Sequence, residues 1–301
     1  MTQPSASPPP WRRPPGVAAG TWQYLHQRTI ARHYDDFVAG TPLCELDSQY
    51  VLQQLGPLAE TADASNSDGF HHRRVSVLDL GCGTGRLAWP LAELGFDVLA
   101  VDLSHSMLTE LLAKNHHPLP QETVDDPPRT AAASVVTGRV LPIHANLVQL
   151  DGLRDAVADH AICMFSTLGM IQGRDNRIHA LRHAARVVRP GGRLLLHVHR
   201  RWASLRERHG VARLAGSAWR SLIRKGSEFG DWTYAYRGLD NMFMHRFTAR
   251  ELKRDLGTAG WTVETIDTID LRGESTGVPW WNASGFFLRC RRERPQDSST
   301  A

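Results

Sequence analysis

Apolar positions follow two rhythms from residue 75 onward, short unbroken runs alternating with stripes at helical spacing. Val75, Val77, Leu78 and Leu80 have the character of a strand buried on both faces. Glycines at 81, 83 and 85 punctuate the turn behind it. Leu87, Leu91 and Leu94 then recur at helical spacing as far as Gly95, which is placed as a C-terminal cap. "DVLAVD" reads as a second strand ending on Asp102. "LSHSMLTELLAKN" reads as a short helix, with Ser104 its N-cap and Met107, Leu108, Leu111 and Leu112 its buried stripe. Further strands are predicted at about 139–144 and 160–165 and in "RLLLHVHR". A short helix is expected within "LVQLDGLRDAVADH", and a long one in "RDNRIHALRHAARVV", capped by Asp175 and stopped by "RPGG". Near the end, Thr248 and Glu251 form a capping box ahead of a helix, and two strands follow. Such alternation implies a mostly parallel α/β sheet covered on both sides.

Other stretches break the pattern. Residues 1–20 are Pro-rich and are expected to be a disordered tail. Residues 21–74 read as an N-terminal helical segment. Its aromatics, Tyr34 among them, fall at roughly helical spacing, a helix is predicted over 45–60, and 61–74 is a polar loop. The core domain spans 75–292. It carries a surface insertion at 115–134 and an inserted lid at 201–247, and 293–301 is a second polar tail.

At 301 residues the chain can hold one large domain or two small ones. No apolar run approaches the roughly 20 residues of a membrane span, and the N-terminus is not built as a secretory signal. Four widely spaced cysteines without a C-x-x-C pair point to a reduced, cytoplasmic protein. A net charge of +4 is too mild to argue for nucleic acid. The histidines lack ligand spacing, and His197 and His199 have no third partner, so no metal site is expected.

The chemistry concentrates at the glycine turn. Asp102 stands 21 positions after Gly81, about where a nucleotide-binding βαβ unit offers a carboxylate to a ribose. The pattern is G-x-G-x-G, one position short of a dinucleotide fingerprint, with Arg86 next and Asp79 two places before the first glycine. A pyrophosphate prefers a bare helix N-terminus, whereas a ligand with a free ammonium gains from a nearby carboxylate. "VLDLGCGTG" with "VDLSHSML", "HANL", "DHAICMFSTLG", "RVVRPGGRLLLH" and the late "FTARELKRDLGTAGWTV" resembles the class I S-adenosylmethionine-dependent methyltransferases, over about Val75 to Arg292.

That resemblance implies a doubly wound, mostly parallel seven-stranded sheet with the last strand antiparallel, and S-adenosyl-L-methionine as cofactor. It implies that Gly81, Cys82, Gly83 and Gly85 run under the cofactor and that Asp79 faces its amino group. Asp102 and Leu103 would meet the ribose, Asn146 and Leu147 the adenine, and Phe165 and Ser166 the methyl-donor end. Tyr34 would close over the top. Pro90, as in several members, is expected to kink the first helix.

At the substrate end His199 and His245 are the candidate catalytic groups, and Tyr236 and Asn241 candidate wall residues. Arginines at 206, 213 and 220 give an Arg-rich stretch, 200–225, suited to a solvated face, an acidic substrate, RNA or a membrane surface. Trp280 and Trp281 can stack a ligand or anchor the closing hairpin. The reading is a methyltransferase acting on a small molecule. Its alternatives are an RNA or protein methyltransferase and a non-catalytic S-adenosylmethionine-binding protein; the glycine spacing disfavours a nicotinamide oxidoreductase.

Overall fold

The computed structural model describes residues 8–64, 73–114 and 138–293. The expected insertion at 115–134, residues 1–7 of the expected first tail and nearly all of the second lie outside them. Nine strands are described: β1 Ser76–Leu80, β2 Asp97–Asp102, β3 Val140–His144, β4 His160–Cys163, β5 Arg193–His199, β6 Asp231–Tyr236, β7 Leu239–His245, β8 Trp261–Asp270 and β9 Ala283–Arg292. Seven form one sheet in the order β3-β2-β1-β4-β5-β9-β8. β3, β2, β1, β4 and β5 pair in parallel, and β9 runs antiparallel between β5 and β8. Strand order reverses between β1 and β4, which opens a crevice at their carboxyl ends.

Period-2 alternation sends successive side chains to two cores. Leu194, Leu196 and Val198 join one, and Leu195 joins the other. The first core is covered by α8 (Arg174–Val187) and α10 (Ala249–Thr258). There Trp261 is fully buried, and its indole N–H donates to Leu181 O at 3.0 Å, fastening β8 to α8. The second is covered by α4 (Pro42–Ala64), α5 (Ala88–Glu93) and α6 (His105–Ala113). Ser104 caps α6 by accepting from Met107 N–H, and Thr248 and Glu251 complete their capping box on α10.

A third, smaller core forms above the crevice. It joins the short helices α1 (Ala19–Leu25), α2 (Arg28–Arg32) and α3 (Tyr34–Val38) to the β6–β7 hairpin. A Cβ on Gly20 would lie 1.8 Å from Asn241 O, so this glycine lets α1 press directly on β7. Between β5 and the hairpin lie a 3-10 turn, Arg201–Arg206, and α9 (Gly210–Ile223).

Several local expectations need correction. The 147–159 stretch forms turns rather than a helix. Gly173, not Asp175, occupies the N-cap of α8. Pro90 is the third residue of α5, where a backbone N–H has no intrahelical partner to lose, so no kink is required. Residues 8–20 are not simply a tail: Val17 is buried and bridges Ile171, and Gln172 N–H donates to Gly16 O at 2.8 Å.

Candidate active site

The glycine turn is fixed from below by backbone. Gly81 and Cys82 N–H both donate to Val101 O, at 2.8 and 3.0 Å, so the turn is pinned to β2. Its glycines serve two ends. A Cβ on Gly83 (φ +56°) would find nothing nearer than the Tyr34 ring at 4.0 Å, because Gly83 faces an open crevice. Side chains on Gly81 or Gly85 would strike Thr167 or press on Trp89 and Leu111, so those positions buy close packing. Gly85 and Ser166 are the two expected cofactor residues that do not line the crevice.

The crevice has a volume of about 340 Å³, within the range of small-molecule sites. At one end stand Asp79 and Asp102. Asp102 Oδ2 accepts from Gly83 N–H at 2.9 Å and Oδ1 from Ser104 N–H at 2.7 Å. Each oxygen is thereby aimed and keeps lone-pair capacity for a further donor. Burial raises the Asp102 carboxyl above its ordinary range despite these bonds. Asp79 is 3% exposed and its Oδ2 has no hydrogen-bond partner. Burial pushes its carboxyl up to about 7, against the opposing charge of Arg86 and with Asp102 adding to the rise. A buried, unpartnered carboxylate oxygen beside an open glycine suits an ammonium-bearing ligand. The residues present therefore fit S-adenosylmethionine.

Cys82, Leu103, Leu147 and Phe165 also line the crevice. Asn146 does too, but its amide is already engaged. Oδ1 accepts from Val148 N–H at 3.1 Å, and Nδ2 donates to Pro15 O at 2.9 Å. The amide thus straps residues 15–17 across the opening, with Pro15, Gly16 and Val17 in the wall. Tyr34 closes the other side, its phenol pushed well up by burial. Thr84 fixes α3 there by donating to Asp35 at 2.7 Å.

Phe165 and Ser166 both hold positive φ, +50° and +62°, strained for side-chain-bearing residues. This turns the Phe165 ring to the crevice and Ser166 behind the wall. Ser166 is fully buried, its Oγ accepting from His199 N–H at 3.3 Å and donating to Met244 sulfur at 3.5 Å. Ser166 therefore braces the wall from behind and does not line the crevice.

Tyr24, Tyr234, Tyr236, Met170, Met242 and Met244 line the same crevice as His199. Burial, helped by His197 and Arg246, lowers the His199 imidazolium to about 3, so the ring is neutral near pH 7. His245 is elsewhere. Strand alternation that points Met242 and Met244 at the crevice turns His245 to the opposite face. There it is fully buried, with Asp231 on Nδ1 and Glu251 on Nε2, each at 2.8 Å. It belongs to an ion-pair cluster with Arg201 and is not placed for catalysis. Asn241 and the two tryptophans, Trp280 and Trp281, also lie outside the crevice wall.

One group escaped sequence reasoning altogether. Asp47 on α4 is fully buried. Its Oδ2 takes Arg86 at 3.2 Å and Phe165 N–H at 3.1 Å, and its Oδ1 lies 3.0 Å from His197 Nδ1. One carboxylate thus joins the N-terminal segment to the glycine turn, the loop after β4 and the strand carrying His199. Arg86 followed by a helix was the available signal; nothing in "ELDSQYV" marks its partner.

Comparison with known proteins agrees with this geometry. An uncharacterized methyltransferase of Mycobacterium bovis is 36% identical over 140 residues, 46% of this chain and 44% of that protein. The ubiquinone biosynthesis O-methyltransferase of Cereibacter sphaeroides is 29% identical over 120 residues, 40% of this chain and 46% of that one. The chain thus spans less than half the length of these curated relatives. A solved structure of 1,6-didemethyltoxoflavin-N1-methyltransferase from Burkholderia thailandensis shares the fold at a TM-score of 0.53 and 18% identity, covering 94% of this chain and 93% of that one. The family described as methyltransferase domain matches residues 48–266, and the chain belongs to it, as a class I S-adenosylmethionine-dependent methyltransferase.

Proposed function

We propose that the crevice transfers a methyl group from S-adenosylmethionine to a small, flat, largely apolar acceptor. The observation that carries this is continuity. One cavity is lined by the two carboxylates, the open glycine, His199 and a set of tyrosines and methionines. S-adenosylmethionine supplies an electrophilic methyl on a cationic sulfur, so the protein's task is chiefly alignment and exclusion of water. Asp79 and Asp102 hold and orient the donor's two polar ends. The strap at residues 15–17 and the β6–β7 hairpin cover the opening and keep water out. Tyr234 and Tyr236 offer ring faces to a planar acceptor, and the methionines adapt to its outline. The neutral imidazole of His199 can accept a hydrogen bond from a hydroxyl or amine acceptor and so orient it; with its imidazolium lowered to about 3 it is a positioning group and a weak base.

Methyl-labelled S-adenosylmethionine, incubated with the chain and separate small-molecule, RNA and protein fractions, tests the reading. Label should enter the small-molecule fraction and vanish when S-adenosylhomocysteine is added in excess. Label confined to RNA or protein would replace the acceptor assignment. No label anywhere, with S-adenosylhomocysteine still bound, would leave a cofactor-binding protein.

A further inference from the structure

We propose that α9 docks the protein on an anionic membrane surface. Thirteen large apolar side chains are exposed among the described residues, and eight of them lie on the 3-10 turn at 201–206, on α9 and on the turn at 280–282. On α9 these are Val211, Trp219, Leu222 and Ile223, between 62% and 82% exposed. At 100° per residue they share a sector of about 120°. The opposite side of the helix is already occupied. Leu214 and Ser217 are buried, and Ser217 Oγ donates to Asp231 O at 3.1 Å and accepts from Gly230 N–H at 3.1 Å, on the β6 end of the hairpin. Among the described residues the apolar sector is therefore a free face and not a loosely packed core.

Charge selects the occupant. Arg213 and Arg220 lie about 60–80° past one side of the sector, and Arg224 and Lys225 follow where the helix ends. The carboxylates nearby are engaged elsewhere. Glu207 serves Arg246 as well as Arg213, Glu228 pairs with Arg177, and Asp231 pairs with His245. Arg220, Arg224 and Lys225 form no ion pair among the described residues, leaving that side cationic. A second copy seated face to face would set these cations against their own images, which disfavours a self-paired face. An apolar sector with a basic border is what a helix lying in a headgroup layer requires, its apolar side in the acyl boundary and its cations on the phosphates. The attachment is peripheral, since among the described residues no helix is long and apolar enough to cross a membrane.

Flotation of the full chain with phosphatidylcholine vesicles, with and without about one-third phosphatidylglycerol, tests this. The unaltered chain should float with the anionic vesicles at least about tenfold more than with the neutral ones, and lose that binding in about 0.5 M salt. Leu222→Asp with Ile223→Asp should abolish flotation, and Arg220→Glu with Arg224→Glu should reduce it about tenfold. All four side chains are on the helix exterior, so circular dichroism melts should match the unaltered chain. Absence of flotation, equal flotation with neutral vesicles, or self-association that the Asp pair removes would each overturn the proposal. Methylation is not part of the readout, so the outcome is independent of the acceptor reading.

Discussion

The two ends of the crevice are made in different ways. The carboxylate end is built mostly on residues 79–104, where the Gly81, Cys82, Gly83 and Ser104 amides meet fixed acceptors. Residues 24, 170, 199, 234, 236, 242 and 244, which also line the crevice, come from separate elements far apart in the chain. A backbone-built site tolerates few sequences and is read easily. A side-chain-built one can change its occupant while the fold stands.

Substitutions should separate the ends. The largest effect is expected where they join. Asp47→Ala leaves the Arg86 cation without its buried partner and should cost about 3–5 kcal/mol of stability, read by denaturant melting. An unaltered melt would show that the two ends are independent. Asp102→Ala should weaken S-adenosylhomocysteine about 100-fold by calorimetry, since it removes the charged acceptors for two hydroxyls. Unchanged affinity would remove the ribose assignment. His199→Ala should lower turnover about 100-fold yet leave that affinity within about twofold; a loss in affinity instead would move His199 to the donor end.

Acidity should act on the donor end alone. Asp79 must be ionised to meet an ammonium, and its carboxyl titrates near 7. Affinity for S-adenosylhomocysteine should therefore fall about 20-fold between pH 7.5 and 5.5, and Asp79→Asn should flatten the profile. In the ligand-free fold Asp79 should act in the opposite sense. Between the ordinary carboxylate range and about 7 the folded Asp79 retains a proton that the unfolded chain releases, so its own contribution to stability declines as pH rises through that window. His160 and His199, held neutral in the fold, contribute in the reverse direction below the ordinary imidazole range. The smallest effect is expected at the far wall. Tyr236→Ala should raise the acceptor KM about tenfold with donor affinity unchanged.

The same contrast explains what the chain disclosed before folding. Strand runs, glycine spacing and the Asp79–Asp102 interval are local patterns, and the parallel sheet and donor end were legible in them. His245 misled because a histidine in a polar, aromatic stretch looks catalytic until alternation from Met242 and Met244 turns it away. Ser166 misled because its left-handed backbone reverses the expected direction. Residues 15–17 and Asp47 were invisible because their partners, Asn146, Gln172, Arg86 and Phe165, lie far along the chain.

The recognised family begins at residue 48, one position after Asp47. A fragment excised at that boundary would keep every signature glycine and lose the anion that neutralises its own arginine. Domain borders drawn from shared patterns thus cut through this molecule's keystone, and expression trimmed to them should yield aggregates where the longer chain yields protein.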